Sequence, residues 1–206
     1  MKKIIPMIPK GLAKPGDFLL WKTNRKTPFH LDIGGWTEPL KEGICALNNT
    51  DVLNGYNHIG YLDMDPSFIL HAAPPCCKRE YMSFEWWNNH FKAADPELWR
   101  FNPELTDDEA SRMCKAGYEV MDLKWNQKKM IYEGLKYDWP AIFPLFAILG
   151  INKEDWLHCA EAASDTAKRI DRILSSQGKY DSCVSPNNCI NSGVLRKVWG
   201  WYLPDR

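Results

Sequence analysis

The sequence has no surplus of either charge: 26 Lys and Arg stand against 26 Asp and Glu. Proteins that hold nucleic acid by neutralising phosphates normally carry a basic excess, so no nucleic-acid partner is expected. No apolar run is long enough to cross a bilayer. The most apolar stretch, Ala141 to Ile151, is interrupted by Pro144 and falls short of the roughly twenty residues a spanning helix needs. Met1 to Lys14 holds Lys2 and Lys3 but lacks the apolar run of a signal peptide. The expectation is a cytoplasmic protein with reduced thiols. A phage or viral product released by lysis would show the same pattern. Internal repeats and low-complexity tracts are missing, and so is any Cys-x-x-Cys spacing. Cys76, Cys77, Cys183 and Cys189 therefore do not read as a zinc site, and neither a metal nor another cofactor is assigned.

What the chain does have is aromatic bulk and thiols. Aromatics make up 13 % of 206 residues, with ten Trp, and there are seven Cys. This length builds one large domain with a substantial core, and the organisation expected is a single domain over 1–206. Pro15-Gly16-Asp17 is turn chemistry, and Phe18 to Trp21 is a strand-like apolar run. Residues 22–55 are polar and turn-rich, and read as a long loop insertion. His58 to Asp63 and Phe68 to Ala72 read as a hairpin around Met64-Asp65-Pro66-Ser67, ended by Pro74-Pro75. Cys76 to Trp86 suggests a further strand, then a turn or short helix rich in Trp, and Leu98 to Phe101 another strand. Thr106-Asp107-Asp108-Glu109 is a capping box that opens a helix to about Lys124. A short buried helix is expected over Ala141 to Leu149. A second long helix carries Cys159 in its first turns and runs to about Ser175. Ser185-Pro186-Asn187 starts a short one. Helices and strands together indicate one α+β domain.

The chemistry begins at Cys159. Unpaired N–H groups and the positive dipole end at a helix start favour an anion, so a thiol there gains thiolate character. The hairpin supplies possible bases. A four-residue turn puts Gly60 opposite His71 and His58 opposite Ala73, which makes the two histidines diagonal neighbours on one face. If the Cys159 helix packs on that face, His58 takes the thiol proton and His71 orients the ring, a Cys-His-His triad. His158, next to Cys159, is expected at the surface or facing substrate, and His30 and His90 in solvent.

Taken in order, six segments resemble one family. They are Pro15-Gly16-Asp17-Phe18-Leu19-Leu20, Asn57-His58-Ile59-Gly60-Tyr61, Ile69-Leu70-His71-Ala72-Ala73, Tyr137-Asp138-Trp139, His158-Cys159-Ala160-Glu161 and Ser185-Pro186. The chain is similar to the circularly permuted papain-like cysteine hydrolases of the NlpC-like superfamily, as in YiiX-type amidases, with the histidine strands ahead of the cysteine helix. The resemblance implies a small antiparallel β-sheet or barrel packed against helices, with Cys159 at a helix N-terminus as nucleophile, His58 as base and His71 as the third polar residue. Tyr61, Tyr137 and Glu161, at neighbouring motif positions, are the substrate-binding candidates. Ala160 stands where the family commonly has Ser, and many permuted members have a carboxylate where this chain has His71. The implied activity is cleavage of a peptide or cell-wall peptide amide through a thioacyl-enzyme. The alternatives are an acyltransferase or thioesterase on lipid-like acyl substrates, as in relatives such as lecithin:retinol acyltransferase, or a papain-like shell without turnover.

Overall fold

The structure, a computed structural model, describes residues 7–23, 56–91, 94–137, 156–174 and 184–200. Its frame is one sheet. β1 (Phe18–Thr23) lies between β2 (Tyr56–Leu62) and β5 (Ala94–Phe101). β3 (Phe68–Ala73) and β4 (Cys76–Tyr81) continue beyond β2, followed by β7 (Ile131–Tyr137) and β6 (Lys124–Asn126). On the far side β9 (Leu195–Gly200) covers β5. These eight strands pair antiparallel, and β8 (Trp156–Leu157) joins β7 in parallel. The helices are α1 (Phe84–Phe91), α2 (Asp107–Val120), α3 (Cys159–Lys168) and α4 (Pro186–Asn191). Helices pack against an antiparallel sheet, the α+β arrangement expected. The 24–55 portion of the expected loop insertion and the expected helix at 141–149 lie outside the described residues.

β1 explains the layering. Phe18, Leu19 and Leu20 are fully buried and Trp21 nearly so, because this strand has a core on each face. Burying each of these side chains stabilises the fold by roughly 1.5–3 kcal/mol. Phe18 and Leu20 join Ile59, Tyr61, Leu70 and Ala72 in one cluster, which also holds Cys159, Ala160 and Ala163 of α3. Leu19 and Trp21 join Leu62, Ile69, Trp87 and Phe91 in the other. α3 thus covers one face and α1 the other.

Local signals set the element ends. Thr106 and Glu109 form the expected capping box. α2 ends earlier than the sequence suggests, because Asp122 takes a positive φ of 47° and the chain turns into β6. α3 also ends early, at Lys168, after which Asp171 has φ 59°. Ser185 caps α4 with Pro186 in its first turn, as read from the sequence. β6, β7 and β9 have no counterpart in the sequence reading; their Lys, Asn and Glu content hides them.

A buried charge pair ties the start of the sheet together. Arg100 Nε donates to Asp17 Oδ1 and Arg100 Nη2 to Asp17 Oδ2, both at 2.7 Å. The same Nη2 also donates to the carbonyl of Leu12 at 2.7 Å, anchoring the segment ahead of β1. Bidentate geometry is the strong form of such a pair.

Candidate functional site

The hairpin carries the site. Tyr61 stands opposite Leu70 and Leu62 opposite Ile69, a register that sets Gly60 across from His71. A Cβ on Gly60 would lie 2.7 Å from Ile69 Cδ1 and 2.9 Å from His71 Cβ, so only glycine leaves the histidine its room. His58 Nε2 and His71 Nδ1 are 3.0 Å apart. His71 Nε2 lies 2.9 Å from Glu80 Oε2, which also accepts from the indole N–H of Trp86 at 3.0 Å. Trp21 stacks on the His58 ring with centroids 4.2 Å apart. The result is a buried line of polar groups, His58 to His71 to Glu80, walled by indoles.

Glu80 is absent from the sequence reading. Its signal was there: Ala73 pairs with Cys76 across the Pro74-Pro75 turn, which sets Ile69 opposite Glu80 and His71 opposite Lys78. Glu80 is thus the diagonal neighbour of His71 on the same face. His90, expected in solvent, stacks on Trp86 at 4.0 Å and donates from Nδ1 to the Trp86 carbonyl at 2.9 Å. His30 lies outside the described residues.

Electrostatics give the line a direction. Burial disfavours the Glu80 charge, but the hydrogen bond and charge of His71, the Trp86 indole and Lys78 hold its carboxyl well below the usual range. Burial first, then His71 and His90, push His58 well below its ordinary 6.5, against a smaller opposing effect of Glu80. An ionised Glu80 only accepts, so His71 Nε2 donates to it. With both rings neutral, His71 Nδ1 accepts from His58 Nε2, and His58 Nδ1 keeps the lone pair. Among the described residues nothing donates to that nitrogen.

The expected packing of the cysteine helix is overturned. His58, Gly60 and Leu62 project from one face of β2; Ile59 and Tyr61 project from the other. α3 packs on the second face, where the Tyr61 hydroxyl and Thr166 Oγ1 are 3.1 Å apart. Cys159 is buried in that face's cluster, while the two imidazoles sit with Trp21 on the α1 side. In this conformation His58 and Cys159 therefore point into opposite layers. The reading failed because both faces are core: an apolar face bearing two histidines did not have to be the face the helix covers.

The two groups nonetheless share one end of the sheet. Leu157, two residues before Cys159, pairs with Tyr137, whose N–H donates to the Pro75 carbonyl at 3.0 Å. The other flank is α4, where Asn187 Oδ1 accepts from the N–H of Tyr56 at 3.4 Å and Cys189 lies in the same buried cluster as Cys159. Trp21 pairs with His58 but Lys22 with Tyr56, so Asn57 is an extra residue, a bulge. It lets Tyr56 enter the α3-side cluster while His58 faces away.

The three substrate-binding candidates are all buried. Tyr61 is fully buried, its hydroxyl held at Thr166 and its ring against Gly117. Tyr137 belongs to the core around α3, and Glu161 is buried in the first turn of that helix. His158 is buried as well, not at the surface. It is the N-cap of α3, its Nδ1 accepting from the N–H of Glu161 at 3.4 Å. Cys77 and Cys114 are ordinary buried thiols, and burial pushes both up to about 12.

Among the described residues, no helix is long and apolar enough to cross a membrane. Among the same residues, no three His, Cys, Asp or Glu side chains come together as a metal-binding group.

Neither a protein-family model nor a curated protein matches the sequence. Among solved structures, the chain is similar to the metalloprotein YiiX from Escherichia coli O157:H7, with a TM-score of 0.56 and 12 % identity. The match covers 93 % of this chain and 99 % of that one. No described cluster fits the metal in that protein's description. What the two share is the fold, and on that ground the chain has a YiiX-like architecture.

Proposed function

We propose that this protein is a cysteine hydrolase of the permuted papain-like type, acting on an amide or related acyl bond. The observation that carries the reading is the line His58–His71–Glu80, which ends in a nitrogen lone pair that takes no donor among the described residues. Such a line orients an imidazole and stabilises the charge it acquires, the task of the second and third members of a catalytic triad. Cys159 is the nucleophile. Its thiol gives a proton to His58 Nδ1, and sulfur bonds to the acyl carbon. The C–N bond then breaks, the amine leaves with the proton from His58, and water releases the acyl group. The step requires Sγ and Nδ1 to meet, and the bulge at Asn57 is where β2 changes the face it presents. An acyltransferase differs only in the acceptor that replaces water.

A second reading has its own observation. The imidazoles and the thiol occupy opposite layers, the arrangement of a papain-like shell that binds without turnover.

Thiol labelling separates the two. The hydrolase reading expects an acyl-directed electrophile to modify Cys159 much faster than Cys76 or Cys114, with the excess lost in His58→Ala and reduced in Glu80→Gln. Labelling of Cys159 no faster than of Cys114 establishes the inert shell.

A further inference from the structure

A groove of about 580 Å³ runs along the α1 side of the sheet, outside the path between His58 and Cys159. One wall is α1, the other the β6–β7 hairpin, and Phe68 and β4 make the floor. Its rim is apolar and exposed: Tyr81 is 59 %, Trp125 48 % and Met130 68 % accessible. Large apolar side chains left this open around one concavity mark a binding surface better than scattered ones do.

The charges in the groove select the ligand. Among the described residues its one lining cation, Arg79, is already engaged. Its Nε donates to Asp63 Oδ2 at 2.6 Å, and its guanidinium lies 3.5 Å above the Phe68 ring. Two carboxylates remain. Glu85, in the first turn of α1, has no ion pair among the described residues. Glu80 spends Oε2 on His71 and Trp86, while Oε1 has only Lys78 Nζ, at 3.6 Å. Among the described residues the carboxylate left without an ion pair is Glu85, and Trp86, Trp125 and Tyr132 line the same groove. Aromatic faces with a nearby carboxylate hold a cation on an apolar stem.

We propose that this groove binds a basic side chain of a peptide, arginine or lysine, with its stem against Trp125 and Tyr132 and its charge at Glu85. The assignment stands apart from any chemistry at Cys159, since binding here needs no turnover.

Titration of the full chain with N-acetyl-arginine methylamide, followed by NMR or calorimetry, tests it. N-acetyl-citrulline methylamide, the neutral isostere, is the control. The arginine compound should bind, and the citrulline compound roughly tenfold more weakly. Glu85→Gln should remove most of that difference, and Trp125→Ala should weaken both compounds. Equal affinity for the two compounds, no binding of either, or an unchanged preference in Glu85→Gln overturns the proposal. Glu85 is exposed in the first turn of α1, so its variant folds and decides the case if Trp125→Ala does not.

Discussion

His58 Nε2 lies 3.0 Å from His71 Nδ1, and neither ring has another histidine as a hydrogen-bond partner among the described residues. Two imidazoles at this distance inside a core share one proton between their facing nitrogens. The neutral pair holds one proton per ring, and burial opposes the further proton that would charge His58. The pair is therefore a store of pH sensitivity as well as a candidate base.

Stability should fall on the acid side in two stages. His58 in the folded chain sits below its ordinary 6.5, so as pH falls through 6.5 the unfolded chain takes up the proton first and gains on the folded one. Glu80 is held below its ordinary 4.5, so the stability it contributes is full above 4.5 and is lost below it. Urea midpoints measured from about pH 8 to about pH 5 should decline, and His58→Phe, which keeps a ring on Trp21, should flatten that decline. A wild-type midpoint constant over this range contradicts the buried neutral His58.

Removing Asp17 should be among the most damaging single changes. Asp17→Ala leaves the Arg100 guanidinium buried without its carboxylate, at a cost of about 3–5 kcal/mol. Asp17→Ala/Arg100→Ala should lose clearly less than the sum of the two single variants. Chemical denaturation of all four proteins measures the coupling, and simple additivity would mean the pair is not energetically joined.

The Tyr61 notch offers a matched pair of tests. A Cβ at position 117 would overlap the Tyr61 hydroxyl, so Gly117→Ala should cost about 1–3 kcal/mol by overpacking. Tyr61→Phe removes only the bond to Thr166 and should cost about 0.5–1.5 kcal/mol. In the Tyr61→Phe background, the Gly117→Ala penalty should shrink. Thermal or urea unfolding reads this, and an unchanged penalty would place the clash elsewhere.

Thr106→Ala should cost about 0.5–2 kcal/mol through loss of the α2 N-cap. Circular dichroism melts report it directly. Since Glu109 also holds Arg172 at 2.7 Å, Glu109→Ala should cost more than Thr106→Ala. The reverse order would show that the tie to Arg172, four residues beyond α3, contributes little.

The hairpin was legible because its signals are local. Alternation fixes which side chains share a face, and the Pro66 turn fixes the count, so the His58–His71 contact follows from sequence alone. Glu80 was legible by one more count across the Pro74-Pro75 turn. The side on which α3 docks was not. Phe18-Leu19-Leu20-Trp21 is apolar at every position because it is buried from above and below, and such a strand cannot say which layer is which. His158 was missed for a related reason. A histidine beside a cysteine looks like chemistry, whereas here its Nδ1 completes a helix cap.

The contact between Arg100 and the Leu12 carbonyl reaches beyond the sheet. The stretch ahead of β1 is not itself a strand, yet Gly16 N–H donates to the Leu62 carbonyl at 2.9 Å, the guanidinium that holds Asp17 fastens the stretch to β5, and Lys14 N–H donates to Asp17 at 2.8 Å. Amide hydrogen exchange at Lys14 and Gly16 should therefore follow the slow, global opening of the sheet rather than the fraying usual for such segments. A protease seeking a nick between residues 12 and 17 would have to wait for the whole domain to open.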